Sequence, residues 1–358
     1  MTPRWVRTLV VVALMFLPAA RSAEATGAGA PRAVQLTAPL SGSDVRRLPF
    51  AADHVALYWT GHANAVVRLA FSRDGARFGR FVDAGRDEPG PDRTHGVTYG
   101  AIRRSGGATF LRITSTQRLG QLTVLALADH PVRRLLAGLV EPQPVAPHAP
   151  RPTIIARSDW GANESLRFTN GSERWPPKFA PVQKLIVHHT DTGNHDPNPA
   201  STVRAIYHYH AVTREWGDIG YNFLIDESGR IYKGRNSHAP GSDTDTITGQ
   251  NAAGEGVTGA HAQSYNAGSV GVAMLGTLTD QDATPAARNA LADLLAWEAD
   301  GHDIDPHGAS QYTNPSAGNQ KTFANIAGHR DVGQTQCPGG SFYAALPALR
   351  DAVASRMR

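Results

Sequence analysis

The sequence predicts a two-part molecule: a mixed α/β half with a central mixed β-sheet flanked by helices, preceded by an all-β, sandwich-like half. Three observations carry this. Short β-rich runs separated by turn residues fill the first part, among them VALYWT, AVVRLAFS, RFVDA, TFLRITS and LTVLALAD. Strand-like and helix-like periods alternate after residue 153. Between the two, VEPQPVAPHAPRPT (140–153) places five prolines in fourteen residues, the composition of a semi-extended spacer.

The first 25 residues read as a secretory signal. Arg4 and Arg7 form a positive start, Leu9 to Leu17 a short apolar run, and Ala23-Glu24-Ala25 an A-x-A cleavage site. The run falls short of the roughly 20 residues that span a bilayer, so cleavage is expected over an uncleaved anchor. Either outcome makes the folded part extracytoplasmic. The remaining length suits two domains, expected at 26–139 (all-β accessory) and 153–358, joined by a Pro-rich linker at 140–152.

In the first domain, Asp74-Gly75 within FSRDGARF marks a hairpin. Its His54, His62 and His95 are scattered, which is the pattern of surface histidines. Residues 26–150 carry 15 Arg, no Lys and nine acids, whereas 151–358 carry 17 basic and 21 acidic side chains. Nucleic-acid binding is not suggested by so balanced a total. The basic first half does suit anionic wall polymer.

In the second domain, VQKLIVHH reads as a buried strand and TVRAIYHYHAV as a helix. YNFLID and RIYKGR flank Glu227-Ser228-Gly229 as a hairpin, and SVGVAMLG is a core strand. TPAARNALADLLAWEA has Thr284 as N-cap, Pro285 in the first turn and Leu291, Leu294 and Leu295 on one face. SFYAALPALRDAVASRM predicts a closing helix that tolerates Pro347, and Gly241 to Gly259 a long surface loop.

GHRDVGQTQCPGG (328–340) holds the only cysteine of the 358 residues. One cysteine makes no internal disulfide, so Cys337 is an inert core residue, a nucleophile or a metal ligand. No histidine follows it to act as the base of a papain-like nucleophile, and a polar, Gly-rich setting suits a core thiol badly. Zinc takes imidazole and thiolate together, and a catalytic site keeps an open position. His329 and Cys337 lie on one flexible loop. His188, at the end of VQKLIVHH, is a candidate third donor, and alternation along a strand lets only one of His188 and His189 face the ion.

The segments RSDWGA (157–162), LIVHHT (185–190), REWGDIGYNFLID (214–226), GRIYKGR (229–235), HAQSYNAGSVGVAMLG (261–276) and GHRDVGQTQCPG (328–339) resemble, in type and order, the peptidoglycan recognition protein and type-2 N-acetylmuramoyl-L-alanine amidase family. The likeness covers most of 153–350. It implies one zinc ion per chain on His188, His329 and Cys337, and two catalytic groups beside it, Tyr221 of the GYNF motif and Thr335, two residues before the cysteine. It further implies a stem-peptide groove lined by His210, Arg214 and Trp216, with His261 opposite. The implied reaction is hydrolysis of the amide between the lactyl group of N-acetylmuramic acid and L-alanine, by a secreted, wall-associated enzyme acting on peptidoglycan. Some members of this family bind without cleaving, and a zinc peptidase acting within the stem is the other alternative. The loops at 241–259 and 301–323 depart from shorter members and are expected to border the cleft.

Overall fold

The computed structural model describes residues 32–87, 96–129, 149–239, 242 and 244–357. The signal segment, His95 and most of the Pro-rich linker lie outside the described residues.

The first half is a single hydrogen-bonded sheet of seven strands: β1 (Arg32–Leu40), β2 (Ser43–Gly61), β3 (Val67–Ser72), β4 (Val82–Asp83), β5 (Val97–Tyr99), β6 (Arg103–Ser115) and β7 (Leu119–Ala128). Their order is β1-β7-β2-β6-β3-β4, with β5 extending the β6 side of β2. β2 pairs along most of its length with β6 and β5 on one side, and its second half pairs with β7 on the other, the register shifting at Arg47/Ala52 and Ala52/His54. The sheet buries Val55, Leu57, Trp59, Leu111, Leu122 and Val124 on one face as its own core.

Its other face is also covered. Ala56, Ile102, Leu125 and Leu127 join one apolar cluster with Val203, Ile206, Tyr207 and Tyr209 of the second half. The reason lies in the run Leu122–Leu127, which apart from Thr123 is apolar, lacks the alternation of a half-solvated strand and so needs partners on both sides. Each such leucine contributes roughly 2 kcal/mol on burial. Polar contacts fasten the same interface: His54 Nε2 lies 2.9 Å from Thr202 Oγ1, the Tyr209 hydroxyl donates to the Gly100 carbonyl at 2.9 Å, and Arg204 grips Asp129, its Nε 2.9 Å from Oδ1. His54 is therefore buried, contrary to the surface reading, because it sits on the docked face; His62 is exposed as expected. The two halves are packed together rather than merely tethered.

The second half opens with β8 (Ile154–Ile155), the single-turn α1 (Arg157–Trp160), a small hairpin of β9 (Phe168–Thr169) and β10 (Ser172–Glu173), and β11 (Phe179–Ala180). β12 (Lys184–His189) leads to α2 (Pro199–His208), which runs on into a wider π turn through Thr213. β13 (Phe223–Ile225) and β14 (Ile231–Lys233) form the expected hairpin, followed by β15 (Gly256–Val257) and β16 (Ser269–Met274). The central sheet has the order β19-β12-β16-β13-β14-β8, where β19 is Ile326–Gly328. It is parallel except for the β13–β14 pair. α3 (Pro285–Gly301) begins at Thr284, whose hydroxyl accepts from the Ala287 amide, and buries Leu291, Leu294 and Leu295 against the sheet.

Two expectations are corrected. The C-terminal segment is two helices, α4 (Gly340–Ala344) and α5 (Leu346–Ala354), because Pro347 lacks the N–H that a continuous helix needs and fits only in a first turn. Within 301–323 the chain forms a hairpin, β17 (Ala309–Thr313) with β18 (Gln320–Ala324), pinned to the start of β12 by Lys184, whose Nζ lies 2.8 Å from Ser310 O, Phe323 O and Asn325 Oδ1. The end of the 241–259 loop is also buried, with β15 pairing β11. Among the described residues no helix is long and apolar enough to cross a membrane.

Candidate metal centre and cleft

Parallel neighbours β12 and β19 bring the first two donors together. Their register pairs Val187 with Gly328, so the next residues, His188 and His329, leave adjacent strand ends side by side, the usual place for sites in a parallel sheet. Cys337 returns from the loop after the 3-10 turn His329–Asp331. One ligand atom from each of His188, His329 and Cys337 falls within 4.8 Å of the others, and all three residues are buried. Cys337 Sγ lies 3.6 Å from His188 Nδ1. A tetrahedral zinc with bonds of about 2.3 Å to sulfur and about 2.1 Å to nitrogen has an N···S edge of about 3.6 Å. The donor set and its spacing fit that ion.

The surroundings keep the donors in the ligating form. Burial, reinforced by His329, His261 and His189, holds His188 well below the usual imidazole pKa, and burial takes His329 to about 4. Both stay neutral near pH 7, as ligation requires. The His189 amide donates to Cys337 Sγ at 3.4 Å, which favours thiolate. His189 itself turns away, its Nδ1 accepting from the Leu278 amide at 3.1 Å, as strand alternation demands. Behind His188 sits His261, with His188 Nε2 3.1 Å from His261 Nδ1. A metal on the Nδ1 that faces the thiol would leave the His188 proton on Nε2, donating to His261, an outer contact that would fix tautomer and ring orientation. A glycine is required above it, since a Cβ on Gly271 would lie 2.3 Å from the His261 ring.

Tyr221 packs beside the donors, its ring centroid 5.5 Å from that of His188. Thr335 Oγ1 accepts from the Cys337 amide at 3.0 Å, which seats it next to the thiol. His210 accepts from the Gly220 amide through Nδ1 at 3.1 Å and stacks on Trp216, ring centroids 4.5 Å apart. Arg214 lies between the Tyr99 and Trp216 rings, at 4.2 Å and 4.6 Å, and pairs with Asp87 of the first half. Thus His188, His329, Cys337, Tyr221 and Thr335 gather at one place. His210, Arg214 and Trp216 form a buried stack beside it, and His261 lies behind the ligand rather than across an open groove.

Sequence reasoning missed Asp218. This carboxylate is wholly buried between Arg157 Nη1 at 3.0 Å and Arg235 Nη1 at 2.7 Å, three residues before Tyr221. Burial opposes its charge, but the two guanidinium groups outweigh that and hold its pKa at about 2. The arginines of RSDWGA and GRIYKGR and the aspartate of WGDIGYNF therefore make one support for the tyrosine loop. The signal was present as opposite charges within three of the shared motifs.

Cys337 lines a cleft of about 740 Å³. Tyr221, Thr335 and Cys337 line one side, and the first half lines the other; none of the described residues of 241–259 or 301–323 lines it.

Residues 178–340 match the N-acetylmuramoyl-L-alanine amidase family model. The chain is 31% identical to bovine (Bos indicus) peptidoglycan recognition protein 1 over 195 residues, covering 53% of this chain and 80% of that one. It is 27% identical to the pig N-acetylmuramoyl-L-alanine amidase over 302 residues, 76% of this chain and 44% of that relative, so this alignment runs into the β-rich half. Among solved structures, Drosophila PGRP-LB is 29% identical, covering 55% of this chain and 93% of that chain with a TM-score of 0.39. The chain belongs to the peptidoglycan recognition protein and N-acetylmuramoyl-L-alanine amidase family, and its function is related to peptidoglycan.

Proposed function

We propose that this protein is a secreted, zinc-dependent N-acetylmuramoyl-L-alanine amidase. The convergence of His188, His329 and Cys337 within 4.8 Å supports this most directly. Zinc held by those residues would supply an acidified water and polarise the scissile carbonyl. The protein's own part is to place and stabilise. The Tyr221 and Thr335 hydroxyls flank the donors, where they would hydrogen-bond the attacking water or the oxyanion that develops on the lactyl carbonyl. His261 holds His188 in its ligating orientation, and the His189 amide steadies the thiolate. His210, Arg214 and Trp216 brace the cleft beside Tyr221, where the stem peptide would lie. Water adds to the lactyl carbon, the C–N bond breaks, and the products are a lactyl carboxylate on the sugar and a free amine on L-alanine. The basic surface of the first half would add contact with anionic wall polymer.

Digestion of purified sacculi, paired with metal analysis, tests this. Free N-terminal L-alanine with intact glycan, about one zinc per chain, and loss of both in Cys337→Ser are expected. Binding without release would make the protein a receptor, and new termini elsewhere in the stem would make it a peptidase.

A further inference from the structure

The cleft has two walls, and the second wall belongs to the β-rich half. Asn64, Val66, Asp83, Arg86 and Thr98 line the same cleft as Tyr221, Thr335 and Cys337. This wall is fixed in place. Arg103 of β6 binds Asp191, just past the HH pair, with Nη2 2.9 Å from Oδ2, and Arg104 lies 3.4 Å from Asp196. Arg214 and Asp87 close the far end. Gly85 is where the wall touches the metal-bearing strand end, since a Cβ there would lie 2.2 Å from Arg103 Nη2 and 2.5 Å from Asp191 Oδ2.

The chemistry of the wall selects its occupant. A stem peptide presents several carboxylates, and the wall meets them with few cations: it carries the carboxylates of Asp83 and Asp87, Arg214 is already matched by Asp87, and Arg86 is the one further guanidinium lining it among the described residues. The same wall also presents the Asn64 amide, the Thr98 hydroxyl, the Arg86 guanidinium held by the Ala63 carbonyl, the rings of Trp59 and Tyr99, and the apolar surface of Val66, which is 41% exposed. Carboxylate and amide acceptors for hydroxyls, beside a small apolar face, suit a pyranose ring and its N-acetyl group. A cleft of about 740 Å³ has room for more than the scissile amide and one residue either side.

Resting on the amidase reading above, we propose that the β-rich half is a structural wall of the active-site cleft and carries the glycan-side subsite, binding the sugar next to the cleaved muramic acid through Asn64, Val66 and Thr98. Specificity for glycan-bearing substrate then resides in a part of the chain outside the catalytic fold.

The test uses full-length protein and two purified substrates, a muramyl peptide with one sugar and a disaccharide or longer glycan bearing the same peptide. The probe variant is Asn64→Ala with Val66→Ser, both on the exposed rim and away from the metal donors. The expected result is a roughly tenfold fall in kcat/KM, carried by KM, on the glycan-bearing substrate, with the single-sugar substrate and the zinc content unchanged. Equal loss on both substrates, or no loss on either, overturns the proposal. Calorimetric binding of the peptide-free glycan to wild type and variant reads the wall independently of cleavage. If wild type binds glycan but cleaves nothing, the amidase reading fails while the wall stands; if wild type cleaves but the variant binds glycan as tightly as wild type, the wall fails alone.

Discussion

Removing the Asp218 carboxylate should be among the most damaging single changes outside the metal donors. Asp218→Ala leaves two buried guanidinium groups facing a void. Arg157 keeps Glu164, its Nε 2.8 Å from Oε1, but Arg235 loses its ion partner and keeps only the Trp175 carbonyl and ring. Breaking a buried pair from one side costs about 3–5 kcal/mol, against a total stability of about 5–15 kcal/mol. For a domain of this size that is a fall in Tm of about 10 °C. Circular dichroism melts near neutral pH should show it, and should show it undiminished in about 0.5 M salt, since a buried pair is poorly screened. The sign with pH is also fixed. The folded pKa of about 2 lies below the ordinary aspartate value of 3.8, so the pair's contribution is present above pH 3.8 and is lost as pH falls toward 2. That difference corresponds to about 2 kcal/mol. Asp218→Asn should lack this acid component. A shift under 3 °C for Asp218→Ala, or one abolished by salt, would refute the reasoning.

Burial lowers His54 and His208 from 6.5 to about 4, so each contributes stability above pH 6.5 that is lost as pH falls toward 4, about 3 kcal/mol apiece at most. Urea titrations across that range should show a steep loss, and His54→Gln should flatten part of it. Gly85→Ala meets both the clash with the Arg103–Asp191 pair and a φ of +66°, and should cost about 1–3 kcal/mol in urea unfolding. Lys184→Met strands the acceptors on Ser310, Phe323 and Asn325, so limited proteolysis should cut within 309–324 at least tenfold faster than in wild type.

What could be read from the sequence was local or chemically rare. Thr284, Pro285 and the leucines of α3 announce that helix within one stretch of chain, and a lone thiol among glycines in a chain that also ends a buried strand in an HH pair has few chemical explanations. What could not be read was set by partners more than 100 residues away. Nothing near His54 specifies Thr202, and nothing near Asp87 specifies Arg214. Pro347 failed as an expectation for a local reason: a proline is compatible with helix only at its start, and the segment accordingly restarts there. One global feature did leave a trace, since the run Leu122–Leu127 of β7, apolar but for Thr123, asks for cover on both faces.

That trace bears on how the two halves should be separated experimentally. Cutting at the Pro-rich segment treats the β-rich half as an appendage, yet its removal would expose Val203, Ile206 and Tyr209 and leave Arg204 and Arg214 without Asp129 and Asp87. Arg103 would also release Asp191, two residues beyond His189. A fragment beginning near residue 151 that failed to bind metal or cleave would therefore report the loss of a packed interface, not the loss of a wall-binding module. Point changes on the cleft-facing rim leave that interface intact. They are the substitutions that can separate recognition of substrate from the integrity of the site, because Asn64 and Val66 touch the cleft and are part of neither the apolar cluster nor the ion pairs that join the halves.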